Sequence, residues 1–522
     1  MPRTLLVAQG VHTLGPQQGA RARALLVHDR MIAWVGSDPA QAPAHDRTID
    51  LGTAWITPAM VDAHVHATMT GLALNGVDLG GCASLAEATD RIRRHADLRT
   101  EGVIDAVGWD HFGWPEGRTP TSDDIAAAAP GRTVLMVRVD GHSCVVDPHT
   151  LARLDLDGVD GVARTFDGQP TGYLREQASH LAMRAVRGLR TRVEIDQARA
   201  AVCTHAAARG IGSFHEMGHP GLSELSDALT WASEDWPVDV QVWWADFGPW
   251  LPEHAPGSGG LDARAAAEAG LRPGGDLFLD GSIGSHTAAV DPPYLDTGGS
   301  GELFHDDETV RAFFAACTAA GVGAGVHAIG DRAISQAARA LAAVAGERGV
   351  EAVRRARHRI EHVELPPWED LVTLGRLGVT ASVQPVFDAM WGGTEQLYAG
   401  RFGVDRAVAS NPFRALHEHG LPLAFGSDST VTPMGPAAAM RAATSHLGGH
   451  GIPPALALRA HTLGGRYVAG QDGLGPLAAG AGADLAVWAA DPIRFEEPPG
   501  SMVPDPPCLA TMVAGHLVHG SW

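Results

Sequence analysis

Thr57-Pro58-Ala59-Met60-Val61-Asp62-Ala63-His64-Val65-His66 is the stretch that decides the fold. It reads as a buried strand ending in two histidines one residue apart, and side chains at i and i+2 of a strand point to the same face. His64 and His66 can therefore chelate one cation from a rigid backbone, and imidazole suits zinc and its neighbours. The chain holds 26 histidines, so chance also makes such pairs. What matters is whether further ligands arrive at matching strand ends.

Working outward, apolar strand-like runs alternate with Ala- and Arg-rich helical stretches, the pattern of an α/β parallel sheet. After the His-x-His strand come Gly210–His215, Val238–Trp243, Asp276–Asp280, Val322–His327, His358–His362, Val379–Gln384 and Leu421–Asp428. Eight strands is the number in a (β/α)8 TIM barrel, whose chemistry sits at the C-terminal strand ends. Four of those ends carry ligand chemistry. The first gives His64 and His66, the fifth His327, the sixth His362 and the eighth Asp428. Neutral imidazoles with one carboxylate make a first shell for a catalytic zinc that keeps a water position open.

The flanks differ. Residues 1–54 hold short strand-like runs (Leu5–Ala8, Ala24–His28, Met31–Gly36, Thr48–Leu51), and residues 465–522 hold two more, Ala483–Trp488 and Ala510–Val518. These two ends are expected to pair into one β-sandwich, with the barrel of residues 55–464 between them. Residues 67–205 exceed the barrel count. They read as a large α/β insertion after the first barrel strand, able to cover the barrel mouth, with helical runs at Leu85–Arg94 and Glu194–Ala208 and a strand at Thr133–Asp140.

Composition narrows the function classes. A formal net charge of −21 argues against nucleic acid and anionic membrane as partners. No apolar run approaches the ~20 residues of a membrane span, and the opening Met1–Ala8 is too short in apolar residues for a signal peptide. The five cysteines are scattered, without Cys-x-x-Cys spacing, and read as free thiols of a cytoplasmic protein. All 39 basic residues are arginine.

Together these stretches resemble the amidohydrolase superfamily, most closely the amidohydrolase family 3 branch that includes N-substituted formamide deformylase-like proteins. The resemblance covers nearly the whole chain. It is carried by Val61–His66, Trp114–Arg118, Asp140-Gly141-His142, Gly172–Glu176, Asp280–Ser285, His327–Arg332, Ile360–His362, Gly426–Asp428 and Gly482–Leu485. It implies a homodimeric hydrolase that uses metal-activated water to cleave a C–N bond of a small molecule: an amide, N-formyl, N-acyl or cyclic amide. Asp428 would pass the proton, and His362 or His142 would stabilise the oxyanion. A single-metal deaminase of a heterocycle is the alternative within enzymes. A non-catalytic metal-binding protein of the same fold is the alternative outside them.

One departure from the family pattern bears on the metal count. Two-metal members bridge their ions with a carboxylated lysine on the fourth barrel strand, where this chain has Asp276, and the chain contains no lysine. Aspartate is several ångströms shorter, so Asp276 is not expected to bridge in the same way. Two arrangements stay open. One zinc could be held by His64, His66, His327 and Asp428, with His362 turned to substrate. Alternatively, a second ion could sit on His327 and His362, with Glu176 from the insertion as bridge. His215-Glu216 is a candidate support for the metal shell, and Asp331 reads as a helix N-cap. Trp109, Trp114, Trp243, Trp250 and Trp391 hint at an aromatic pocket.

Overall fold

The structure is a computed structural model that describes residues 2–15, 22–139, 141, 143–220, 223–246, 262–495 and 504–522, apart from the side chain of Glu176. The chain divides into two units, residues 1–66 with 203–522, and residues 67–202.

In the first unit, strands from both chain ends hydrogen-bond into one eight-stranded sheet. Trp55–Pro58 joins the ends by pairing antiparallel with Leu485–Trp488. Period-two patterning builds this sheet. Leu25 and Val27 pack on one face with Ile56, Leu485 and Val487, while Ala24 and Leu26 pack on the other with Leu5. The run expected as one strand over Ala510–Val518 is a hairpin of Cys508–Val513 and His516–Gly520. Its loop is Ala514-Gly515, both at positive φ (47° and 77°). A two-residue loop with both φ positive matches the twist of the paired strands.

The opening stretch is two strands. Trp55–Pro58 belongs to the terminal sheet, and Met60–Val65 starts a separate parallel sheet. That sheet has the order Leu271–Pro273, Asp239–Trp244, Ile211–Gly218, Met60–Val65. A second parallel sheet runs Gly325–Ala328, Arg359–His362, Thr380–Val383, Leu423–Phe425. Among the described residues these are two four-stranded sheets, not one closed hydrogen-bonded ladder. Isolated parallel bridges join their edges at Val65–Ser429 and Phe278–His327. At the first seam His66 N donates to Ser429 O at 2.9 Å and Asp428 N to His64 O at 2.8 Å. Asp62 Oδ1 adds a side-chain link, accepting from Ser427 N at 2.8 Å. Nearly every residue of the second sheet's strands is buried, which suits parallel strands covered on both faces. Helices flank that sheet's first strand in sequence, Asp307–Ala320 before Gly325–Ala328 and Asp331–Arg348 after it. The first is capped by Asp306 and stopped by Gly321 at φ 69°. Asp331 is the first residue of its helix rather than the cap, which is Gly330. Its carboxylate accepts from Asp291 N and pairs with Arg406.

The fourth strand departs from expectation. It covers Leu271–Pro273, before the anticipated Asp276–Asp280. Gly274 and Gly275 follow at φ 80° and 85°. A Cβ on Gly274 would lie 2.0 Å from Gly325 O, and one on Gly275 would lie 2.7 Å from Trp243 Cβ. Only glycine fits so close a turn, and it ends the ladder just before Asp276.

The second unit carries a six-stranded sheet that includes Val134–Arg138, with helices Leu85–Leu98 and Glu176–Arg187. Trp109 and Trp114 are buried in its core, where their indole N–H groups donate to Met136 O and Cys82 O. All five cysteines are free, four of them buried. Burial raises the thiols of Cys144 to about 11 and Cys203 to about 12, which suppresses the reactive thiolate. Native protein is therefore expected to react slowly with a thiol reagent at neutral pH and to titrate all five groups in denaturant. Fast labelling of a buried cysteine in native protein would contradict this packing.

Candidate metal centre

The residues singled out on the strand ends converge. His64 is the penultimate residue of the buried strand Met60–Val65, and His66 follows it. His327 lies in Gly325–Ala328, His362 ends Arg359–His362, and Asp428 sits just past Leu423–Phe425. All five are buried. Asp428 Oδ1 lies 3.4 Å from His64 Nε2 and 3.2 Å from His66 Nε2. The rings of His327 and His362 are 4.4 Å apart. His362 and Asp428 both hold positive φ, 72° and 54°. Non-glycine residues held there cost on the order of 1–3 kcal/mol each, and such strain clusters at functional sites.

Each imidazole has one nitrogen tied away from the centre. His64 Nδ1 donates to Glu361 Oε2 at 2.9 Å, His66 Nδ1 to Met217 O at 3.0 Å, and His362 Nδ1 to Gln384 Oε1 at 2.8 Å. In each of these Nε2 is left facing inward. His327 is turned the other way: Nε2 reaches Gly281 O at 3.4 Å, and Nδ1 faces the centre. Such outer contacts fix the tautomer of metal-binding histidines.

The centre also contains Asp276, whose side chain is shorter than the lysine of the family pattern. Asp276 Oδ1 is 3.0 Å from His327 Nδ1, 3.6 Å from His362 Nε2 and 4.0 Å from His64 Nε2, and its Oδ2 is 3.6 Å from His66 Nε2. The reach comes from the Gly274-Gly275 turn, which supplies by backbone what the short side chain lacks. Two trios have ligand atoms mutually within 4.8 Å: His64, His66, Asp428 and His64, Asp276, His362. His64 Nε2, His362 Nε2 and Asp428 Oδ1 are buried without a hydrogen-bond partner. Buried, unpaired and inward-facing nitrogen and oxygen atoms fit a divalent cation of zinc's class.

The sequence model of the amidohydrolase family matches residues 47–519. The chain belongs to the amidohydrolase family. Among its relatives is the protein LONG AFTER FAR-RED 3 of Arabidopsis thaliana, 28% identical over 76% of this chain and 69% of that one. N-substituted formamide deformylase of Arthrobacter pascens is 22% identical over 94% of each chain. An uncharacterized metal-dependent hydrolase from Pyrococcus furiosus shares the fold with a TM-score of 0.74 at 23% identity, covering 94% of this chain and all of that one.

In this amidohydrolase the charges of the centre hold one another. Burial opposes charge on His64, but Asp428 and Glu361 outweigh it and hold the imidazole well above its ordinary value. Burial likewise opposes ionisation of Asp276, yet His327 and His362 keep its carboxyl well below the usual range. Behind His64, Glu361 pairs with Arg359, and both are fully buried. Arg359 also donates to His215 Nδ1 at 2.9 Å and to Ala63 O at 2.6 Å, and it lies over the Trp243 ring at 4.8 Å. His215 thus supports the arginine, and burial with that neighbouring charge keeps it neutral. Sequence reasoning missed Arg359 as the partner of this carboxylate. The available signal was two charged residues at i and i+2 of a buried strand, the same spacing that exposed His64 and His66.

Other residues at and beyond the strand ends have different partners. Asp280 is held by the backbone N–H groups of Ala289, Ile329 and Gly330, and burial raises its carboxyl to about 6. His286 pairs with Asp296. His142, the side chain of Glu176 and Trp250 lie outside the described residues. Of the tryptophans, Trp391 is near the centre: it packs on Phe387, which stacks on His362 at 6.0 Å and 9°.

Proposed function

We propose that this amidohydrolase is a metal-dependent hydrolase of a C–N bond in a small amide, with an N-formyl or N-acyl amine as the leading substrate class. The observation that carries the reading is the set of four buried imidazoles, each with its outer nitrogen tied and its inner nitrogen directed at one centre. The formamide deformylase relative supports the substrate class. The two parallel sheets are read as the halves of a (β/α)8 barrel, with residues 1–54 and 465–522 as the terminal β domain.

A bound divalent cation, zinc in this reading, would supply Lewis acidity and lower the pKa of water toward ~7. His64, His66 and Asp428 are the residues that would hold it. Asp428 is also the group placed to accept a proton from the attacking water and return it to the leaving nitrogen. Phe387 and Trp391 form an aromatic wall beside His362 and suit an apolar substituent on the amide.

The test uses the full chain, stripped with a chelator and verified metal-free by plasma mass spectrometry. A panel of N-formyl and N-acyl amines should not turn over until zinc is restored. Undiminished turnover by the verified metal-free protein would sink the reading.

A further inference from the structure

The position of Asp276 is that of a bridge. His64 belongs to both trios of candidate ligands, but one nitrogen serves one ion. If His64, His66 and Asp428 take one ion, the remaining inward-facing groups are His327 Nδ1 and His362 Nε2. Both lie against Asp276 Oδ1, at 3.0 and 3.6 Å, while Asp276 Oδ2 lies toward His66 at 3.6 Å. Oδ1 also lies 4.0 Å from His64 Nε2, so the carboxylate stands between the two ligand sets. Asp276 is itself only 3% exposed, and buried charges are paired or coordinate metals.

We propose that this chain binds two divalent ions and that Asp276 bridges them, with His64, His66 and Asp428 on one side and His327 and His362 on the other. This rests on the metal-centre reading above and adds its stoichiometry and its bridging group. The bridge is encoded directly: the chain has no lysine side chain on which carbon dioxide could form a carbamate, so assembly needs no bicarbonate. The Gly274-Gly275 turn is the part of the fold that makes so short a side chain long enough.

The probe is manganese alone. Full-length protein is stripped, loaded with Mn²⁺ in buffer depleted of carbon dioxide, desalted, and measured for bound metal and by electron paramagnetic resonance. Two ions sharing a carboxylate sit ~3.5–4 Å apart, so wild type should hold about two ions per chain with an exchange-coupled spectrum. Asp276→Asn should hold about one, with the uncoupled spectrum of an isolated ion. About one ion in wild type, a coupled pair surviving in Asp276→Asn, or a requirement for added bicarbonate would each overturn the bridge while leaving the metal centre standing. No bound metal in wild type would overturn both. If the asparagine variant does not fold, Glu176→Gln decides: two coupled ions retained in it would support Asp276 as the bridge, and loss of the second ion would overturn it.

Discussion

Asp428→Asn is expected to lower kcat on the best amide substrate by on the order of 10²–10⁴, the range for losing a positioned acid–base group, with little change in the unfolding midpoint. Asparagine is the informative replacement because of the backbone. Asp428 holds φ 54°, a conformation that asparagine tolerates and alanine resists. Its N–H bond to His64 O, which ties the seam between the two parallel sheets, is kept. The substitution thus removes one negative charge and the ability to carry a proton from a centre whose geometry is otherwise unchanged. Steady-state kinetics with a parallel thermal melt make the check. Full activity in a variant that melts like wild type would mean that Asp428 does not move the proton. A collapsed melt would mean that its negative charge between His64 and His66 is needed for folding.

The residues of this centre differ in how visible they were. His64, His66, His327, His362 and Asp428 stand at the ends of apolar runs, where a polar residue after a buried strand is conspicuous, and the fold brings all five together. Asp276 was read as too short to bridge because a sequence shows side-chain length but not backbone path. The strand was expected to run through it, yet the ladder stops at Pro273 and two glycines turn the chain into the centre. Arg359 and Glu361 were read as part of a strand and a motif, because an ion pair between neighbours on one strand face becomes evident only when burial of both is known. The terminal sheet shows the same limit. Its strands were legible by alternation, but the hairpin at Ala514-Gly515 was not, since alanine at positive φ is a position that local preference argues against.

The largest stability effect is expected from Glu361→Gln, a loss of about 3–5 kcal/mol, the usual cost of removing one partner from a buried ion pair. Glu361 is the one carboxylate within ion-pair distance of Arg359 among the described residues, and both side chains are fully buried. Without its charge, the guanidinium remains enclosed between His215, Ala63, Ser382 and the Trp243 ring, none of which is an anion. Urea unfolding would register the loss. The same substitution weakens the acceptor that orients His64 through Nδ1, so metal affinity should fall about 10–100-fold. A double variant separates the two effects. Arg359→Met combined with Glu361→Gln removes the stranded charge, so its stability should recover part of the loss, giving a coupling energy of the kind that contacting residues show. Its metal affinity should stay low, because His64 still lacks its carboxylate. If the double variant were instead as unstable as the sum of the two single changes, the pair would be two independent packing elements and not an electrostatic unit behind the metal centre.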